Sequence, residues 1–91
     1  MKKTIWKFEI EATDKQHIKM PKGAEILYIA NQYEIANIWA LVDPKEELEE
    51  RTFEVFGTGH DIHYDMGVDR NHIGSFQLQQ GTLVFHVFER M

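Results

Sequence analysis

Hydrophobic and polar residues alternate with a period of two along much of the chain. In residues 6–11, three large apolar residues are interleaved with one lysine and two glutamates, and residues 17–20 repeat the alternation more briefly. Residues 51–56 place Phe53 and Val55 on one face in the same way. Successive side chains of a strand point to opposite faces, so each segment is predicted to be a strand with one face buried and one in water.

Three other segments are apolar at neighbouring positions, namely residues 25–31, 35–42 and 82–89. Runs of this kind are typical of central strands covered on both sides, and the last run is also consistent with a subunit interface. Residues 74–78 are joined to that last run by a Gln-Gln-Gly turn, in which Gly81 suits a left-handed backbone conformation. These two segments are therefore predicted to form a hairpin.

The seven short strands, with no convincing amphipathic helix, predict an all-β chain. We expect a small antiparallel β-sandwich or barrel. Asp43 and Pro44 end the fourth strand, because proline cannot donate a hydrogen bond to a neighbouring strand. The acidic residues 45–50 are too charged for a core and are predicted to form one short helical turn or a loop. The length of 91 residues predicts a single domain, residues 1–91.

Composition narrows the function classes. The chain has no cysteine, which excludes a disulfide scaffold, a thiol nucleophile and a cysteine-ligated metal. Its formal net charge of −5 argues against binding of DNA or RNA polymers, which requires a basic surface. No apolar run approaches the roughly 20 residues of a membrane helix, and the first residues lack the apolar segment and cleavage site of a secretory signal. We therefore expect a cytoplasmic protein without membrane contact. Because so small a domain has a small core and no disulfide, we also expect a homo-oligomer.

Positive charge is concentrated near the N-terminus. Residues 1–22 hold six of the seven lysines against three acidic residues, a net +3, whereas residues 23–91 carry a net −8. This asymmetry is consistent with a solvated face or with a local edge that binds anions. In the second case Lys7, Lys19 and Lys22 are the candidate ligands.

The longest irregular stretch, residues 57–72, is the first candidate for chemistry, because long loops in small domains are often functional. It offers imidazoles and carboxylates of the kinds that bind zinc, manganese and iron: His60, Asp61, His63, Asp65 and His72. Their spacing matches neither a helical zinc pair nor any metal-site signature, so no metal and no cofactor are predicted. A histidine and aspartate of this stretch would alternatively serve as general base beside the hydroxyl of Thr52, Thr58 or Ser75. A small metal-dependent hydrolase therefore remains an alternative function.

The same stretch offers an anion site. Gly57, Thr58 and Gly59 allow the backbone to approach a phosphate closely, and Thr58 adds a hydroxyl. The lysine and spacing of a P-loop are absent and no helix follows, so the alternative is a glycine-rich turn that leaves a strand. His60 follows this turn directly. Arg70 would be the phosphate partner, because a guanidinium binds phosphate through two parallel hydrogen bonds.

Aromatic residues are candidates for stacking. Trp6 and Trp39 are expected to anchor the core, with the alternative that one is a platform for a flat ligand, and Trp39 is the candidate for that role. Tyr28 and Tyr33 share this ambiguity. His86 has apolar neighbours and is expected to be a hydrogen-bonded inward histidine or an interface residue.

Six segments together resemble a family of short, uncharacterised proteins encoded by bacteriophages and prophages. They are spread in one order over nearly the whole chain: IWKF at 5–8, MPKGA at 20–24, WALVDP at 39–44, FGTGH at 56–60, IGSFQ at 73–77 and LVFHVFE at 83–89. The resemblance implies a phage setting, with the cytoplasm of the infected or lysogenic bacterial host as the location. The family has no settled catalytic residues to carry over.

In that setting we expect a non-catalytic protein that sequesters a nucleotide-derived signalling molecule of host antiviral defence, as small oligomeric phage proteins called sponges do. A pocket at a subunit interface would let so small a domain enclose a small anionic ligand. The predicted ligand-binding residues are Lys7, Lys19, Lys22, Trp39, Gly57, Thr58, Gly59, His60 and Arg70. The alternatives are a protein–protein interaction module that inhibits or redirects a host protein, the hydrolase, and a minor structural component of the virion.

Overall fold

The computed structural model describes residues 2–62 and 69–91. Within these residues the chain forms seven strands and no helix, which confirms the predicted all-β class. The strands are β1 Thr4–Ile10, β2 Lys15–Pro21, β3 Glu25–Gln32, β4 Ile35–Val42, β5 Leu48–Gly57, β6 Arg70–Leu78 and β7 Leu83–Arg90.

The strands form two antiparallel sheets with a shared core. One sheet has the order β1–β4–β3 and the other has the order β2–β5–β7–β6. Alternate residues of β4, from Ala36 to Val42, belong to one hydrophobic cluster together with Phe53, Phe76 and Val87 of the second sheet. The shortest dimension of the Cα trace is 15 Å, which suits two sheets packed about 10 Å apart. The fold is therefore a sandwich and not a closed barrel.

The two sheets meet along the edges formed by β3 and β6. The side-chain amide of Asn31 donates to the backbone carbonyl of Gln77, and its oxygen accepts from the Gln77 N–H at 2.9 Å. The side chain of Asn31 thus binds the backbone of Gln77 as a neighbouring strand would, and it links the two sheets. Gly74 allows the two edges to approach, because a Cβ at this position would overlap the Cγ2 methyl of Ile29. The free edges, β1 and β2, lie on the other margins of the two sheets.

Two sequence expectations about burial are corrected. Residues 25–31 were expected to form a central strand, but β3 is an edge strand of its sheet and lies beside β6. Trp6 was expected to anchor the core, yet its side chain lies at the edge strand β1 and the residue is 38% exposed. β4 and β7 are central strands, as predicted.

No helical turn forms at residues 45–50. The side chain of Asp43 accepts a hydrogen bond from the N–H of Lys45 at 3.0 Å, and its carbonyl accepts from the N–H of Glu46 at 3.1 Å. This local turn lets β5 begin at Leu48. The charged residues that follow extend β5 because their backbone pairs with β2, where Glu50 lies opposite Lys19.

The irregular stretch before β6 is shorter than predicted. Gly57 is the last residue of β5, and β6 already begins at Arg70. Residues 63–68, which include two of the candidate metal ligands, lie outside the described residues. In the turn after β6, Gly81 has the expected left-handed conformation, and Gln79 and Gln80 also have positive φ.

A nearly buried ion pair closes one end of the sandwich. Arg51 lies on the same face of β5 as Phe53, and its Nε and Nη2 donate to the two carboxylate oxygens of Glu89 at 2.6 and 2.8 Å. Its Nη1 donates to the carbonyl of Ala24, at 2.6 Å, in the connection between β2 and β3. The hydrogen bond to Glu89 raises the pKa of Arg51, against the opposing effect of burial. The guanidinium therefore holds three parts of the fold together.

Candidate functional site

Two predicted ligand residues, Lys7 and Trp39, lie side by side on the outer face of the three-stranded sheet. They are register partners on β1 and β4, and Tyr28 of β3 lies on the other side of Trp39. A register shift between Ile26 and Tyr28 brings the tyrosine into this row. The two rings stack with centroids 4.9 Å apart and planes 4° from parallel. Because Tyr28 is 51% exposed, the stack is accessible from its tyrosine end.

Lys7 also spans the sheet diagonally. Its ammonium group donates to Oε1 of Gln32, on β3, at 2.7 Å. Gln32 lies opposite Ile35 of β4, whereas Lys7 lies opposite Trp39. The bridge therefore crosses β4 above Asn37, the outward residue between these two. This cover explains why Asn37 is only 3% exposed on the outer face; its Nδ2 donates to the carbonyl of Ile35 at 3.2 Å.

A groove of about 520 Å³ opens beside the bridge. Its lining combines an ammonium, a carboxylate, two carboxamides and a phenol around one aliphatic residue: Lys7, Glu9, Gln32, Asn37, Tyr33 and Ile35. The volume falls within the range of sites for small organic molecules. We call this groove, together with Tyr28 and Trp39, the outer-face site.

Tyr33 stands at the tip of the turn between β3 and β4. It is almost fully exposed and has a φ of 59°, in the left-handed region. That conformation costs a bulky residue on the order of 1 kcal/mol relative to glycine. A tyrosine kept in this conformation at the rim of a groove is consistent with a side chain that meets a ligand.

The glycine-rich turn is arranged differently from a phosphate cradle. The N–H of Thr58 donates to the carbonyl of Val84 at 3.1 Å, and the N–H of His60 donates to the carbonyl of Gly57 at 3.0 Å. Both groups are therefore engaged within the protein. Gly59 has a φ of 87°, so the turn matches the alternative of a glycine-rich turn that leaves a strand.

His86 is hydrogen-bonded at both ring nitrogens, as predicted, but it does not point inward: it lies on the opposite face of β7 from the core residue Val87. Nε2 lies 2.7 Å from the hydroxyl of Thr58, and Nδ1 lies 2.9 Å from the hydroxyl of Ser75. The three side chains tie β7 to β6 and to the turn after β5. Both contacts are hydroxyl groups; in the described residues neither is the carboxylate that orients a catalytic base.

The other predicted cations do not lie with Lys7. Arg70 donates through Nε to Glu54 at 2.7 Å, and this carboxylate also lies 3.6 Å from Nε of Arg90. Lys19 is on β2, in the four-stranded sheet, and Lys22 is in the connection between β2 and β3. The described part of the chain thus gathers Lys7 and Trp39 in one place, and Gly57, Thr58 and His60 in another.

The described residues contain no cluster of side chains that would support the alternative of a metal site. Residues 2–62 and 69–91 contain no group of three histidine, cysteine or acidic side chains arranged to hold a metal ion. His72 belongs to β6 and packs against Phe88, with ring centroids 5.1 Å apart. His63 and Asp65 lie outside the described residues.

Three polar residues of the outer-face site are absent from the sequence-based prediction: Glu9, Gln32 and Asn37. Single polar residues in strands are too common to stand out in a sequence. Asn37 gives the one usable signal, a carboxamide inside an otherwise apolar run. Their association with Lys7 depends on the strand register.

Comparison with protein families gives a match that covers residues 1–91. The matching family is described as a domain of unknown function, DUF7352. The chain belongs to the DUF7352 family. This result agrees with the expected resemblance to a family of uncharacterised proteins, and a phage origin remains a prediction.

Neither the curated proteins nor the solved structures contain a match to this DUF7352 chain. Its described residues include no helix long and apolar enough to cross a membrane.

Proposed function

We propose that this DUF7352 protein is a non-catalytic binding protein that captures a flat, anionic ligand of the nucleotide class at the outer-face site. One observation carries the proposal. A cation and two carboxamides line a groove next to Trp39, whose stack with Tyr28 is accessible from the tyrosine end.

Each part of the site suits one part of such a ligand. The tyrosine end of the Tyr28–Trp39 stack offers a surface for a nucleobase, an interaction worth about 1–3 kcal/mol per base. The exposed carboxamide of Gln32 carries donors and an acceptor for polar groups of the ligand, and Asn37 becomes accessible when Lys7 releases Gln32. The ammonium group of Lys7 binds a phosphate after it exchanges its Gln32 partner, and the carboxylate of Glu9 accepts from ribose hydroxyls.

A phage setting would restrict the class of nucleotide that the protein binds. The resemblance to small phage-encoded proteins favours a nucleotide-derived signal of host antiviral defence, such as a cyclic oligonucleotide or an ADP-ribose derivative. Such a protein would act in the host cytoplasm by lowering the free concentration of the signal. It would release the ligand unchanged when denatured.

A second candidate function is a protein–protein interaction module that uses the same face of the sheet. Several large apolar side chains of β1, β3 and β4 are strongly exposed: Ile5, Leu27, Tyr28 and Ile35. Clusters of exposed apolar and aromatic residues are typical of interaction surfaces.

A thermal-shift screen tests the nucleotide proposal. The panel holds cyclic AMP, cyclic di-AMP, cyclic di-GMP, cyclic tri-AMP and ADP-ribose, with divalent metals and a chelator as separate arms. A ligand of the folded state contributes about 2.7 kcal/mol at a hundredfold excess over its dissociation constant. For a domain of this size the midpoint should rise by several degrees. No shift with any of the five nucleotides would contradict the proposal and favour the protein-binding alternative.

Substitutions in the outer-face site should weaken binding of the nucleotide that gives the largest shift. Trp39→Ala removes half of the stack, and Lys7→Ala removes the phosphate partner. We expect each to raise the dissociation constant about tenfold, or about 1.4 kcal/mol, in isothermal titration calorimetry. Lys19→Ala is the matched control on the other sheet and should leave affinity unchanged. A loss for Lys19→Ala as large as that for Lys7→Ala would indicate general charge attraction and reject the assigned site.

A further inference from the structure

The edge strand β1 exposes an unpaired side to solvent. β1 pairs with β4 on one side, and no described strand pairs with it on the other. The side chain of Gln16 binds both backbone groups of Glu11, at 3.0 and 2.7 Å, and so closes this edge one residue beyond β1. No described side chain covers residues 4–10 on this edge in the same way. An open edge of seven residues is a template for pairing with another strand.

Apolar residues on the inner face of β1 are also incompletely covered. Trp6 lies opposite Ala40, a fully buried core residue, yet Trp6 itself is more than one-third exposed. Phe8 lies opposite Ile38, is half-buried, and contacts Trp6 with ring centroids 6.4 Å apart. Both aromatic side chains point into the sandwich at its open margin. A strand added to this edge would extend the inner face over them.

We propose that the strand added to this edge is β1 of a second copy of the chain, paired antiparallel about a two-fold axis at Phe8. In this register Phe8 lies opposite the partner's Phe8, and Trp6 lies opposite the partner's Ile10 on the inner face. On the outer face Lys7 lies opposite the partner's Glu9. The two-fold axis repeats each contact, so two pairs of opposite charge form across the interface when each Lys7 exchanges Gln32 for the partner's Glu9.

Charge complementarity selects this register over its neighbours. Residues that pair across such an axis must share a face, so the axis moves along β1 in steps of one residue. An axis at Lys7 would place two lysines opposite each other, and an axis at Glu9 would place two glutamates opposite each other. Like charges directly opposite are destabilising. The axis at Phe8 alone gives opposite charges at both outer positions nearest to it.

The dimer joins two three-stranded sheets into one continuous sheet of six strands. The two outer-face sites then lie on the same side of that sheet. The inference goes beyond the proposed function and does not depend on it, because the dimer is tested without any nucleotide.

Charge reversal tests the register. Sedimentation equilibrium should give a dimer for the unchanged protein, and K7E and E9K should each raise the dimer dissociation constant at least tenfold. The double variant K7E/E9K restores opposite charges across the axis and should recover the dimer. K19E on β2 is the matched control and should behave as the unchanged protein. A monomer at all concentrations up to hundreds of micromolar, or a double variant as weak as the single ones, would overturn the proposal.

Cysteine cross-linking gives a second readout, because the chain contains no cysteine. F8C places two thiols at directly opposed positions, where strand spacing permits a disulfide, whereas K7C places its thiols two positions out of register. Mild oxidation should cross-link F8C and leave K7C monomeric under denaturing electrophoresis. Cross-linking of K7C without F8C would place the axis elsewhere and contradict the proposed register.

Discussion

Replacing Arg51 by methionine should lower the free energy of unfolding by about 3 kcal/mol, as measured by the midpoint and slope of urea denaturation. Methionine keeps much of the aliphatic bulk but removes every donor of the guanidinium. The Glu89 carboxylate, whose side chain is only 10% exposed, would lose both of its close hydrogen bonds. The Ala24 carbonyl would lose its donor as well. A domain of this size has a total stability on the order of 5 kcal/mol, so the variant should be close to unfolding at 37 °C.

Two further variants separate the unpaired charge from loss of packing. The double variant Arg51→Met/Glu89→Leu removes both charges and should be more stable than Arg51→Met alone, because a buried pair replaced by apolar groups costs little. Arg90→Met is the control at a more exposed arginine and should cost less than about 1 kcal/mol, because Glu54 keeps its hydrogen bond to Arg70. Equal stability of Arg51→Met and Arg90→Met would show that the Arg51–Glu89 pair does not hold the fold together.

Replacing Gly74 by valine should lower the free energy of unfolding by about 3 kcal/mol, at the upper end of the cost of overpacking. A Cβ at this position meets the Cγ2 methyl of Ile29 at the junction of β3 and β6. Ile29 is β-branched and packs against the core, so its methyl group has few alternative positions. The two sheets would have to separate along the edge where Asn31 joins them.

Gly57→Val is the matched control for this prediction. A Cβ at residue 57 would lie 2.8 Å from the His60 ring, but that side chain is exposed and free to swing away. We expect a loss of less than about 1 kcal/mol in thermal or urea unfolding. Adding Ile29→Ala to Gly74→Val should recover part of the lost stability by removing the methyl group. A double variant that only adds the two single losses would contradict close packing between these residues.

Much of the fold follows from local chemistry in the sequence. The predicted strand at residues 35–42 matches β4 at both ends. Polar residues before this apolar run and Pro44 after it mark where the strand begins and ends. The turn at residues 79–81 was predictable for a similar reason. Residues 48–50 were missed because their charge favoured a turn, while backbone pairing with β2 decided the structure. Pairing between strands depends on contacts that a periodic pattern does not reveal.

The candidate site was predictable only in part for the same reason. Lys7 and Trp39 were both predicted, but their adjacency depends on the register between β1 and β4. Tyr28 joins them through a register shift within β3, and this shift cannot be recognised from the residue types in the sequence. Arg70 was assigned to a phosphate because it was expected in a loop, whereas the fold places it in β6 with Glu54 as a partner.

A ¹H–¹⁵N NMR titration with the nucleotide that gives the largest thermal shift tests the proposed site most directly. The Trp39 indole N–H and the side-chain amides of Gln32 and Asn37 report on the outer-face site itself. We predict saturable shifts of these three signals, with smaller changes in the backbone amides of residues 57–60. Saturable binding that moves the signals of residues 57–60 and leaves the three side chains unchanged would contradict the site.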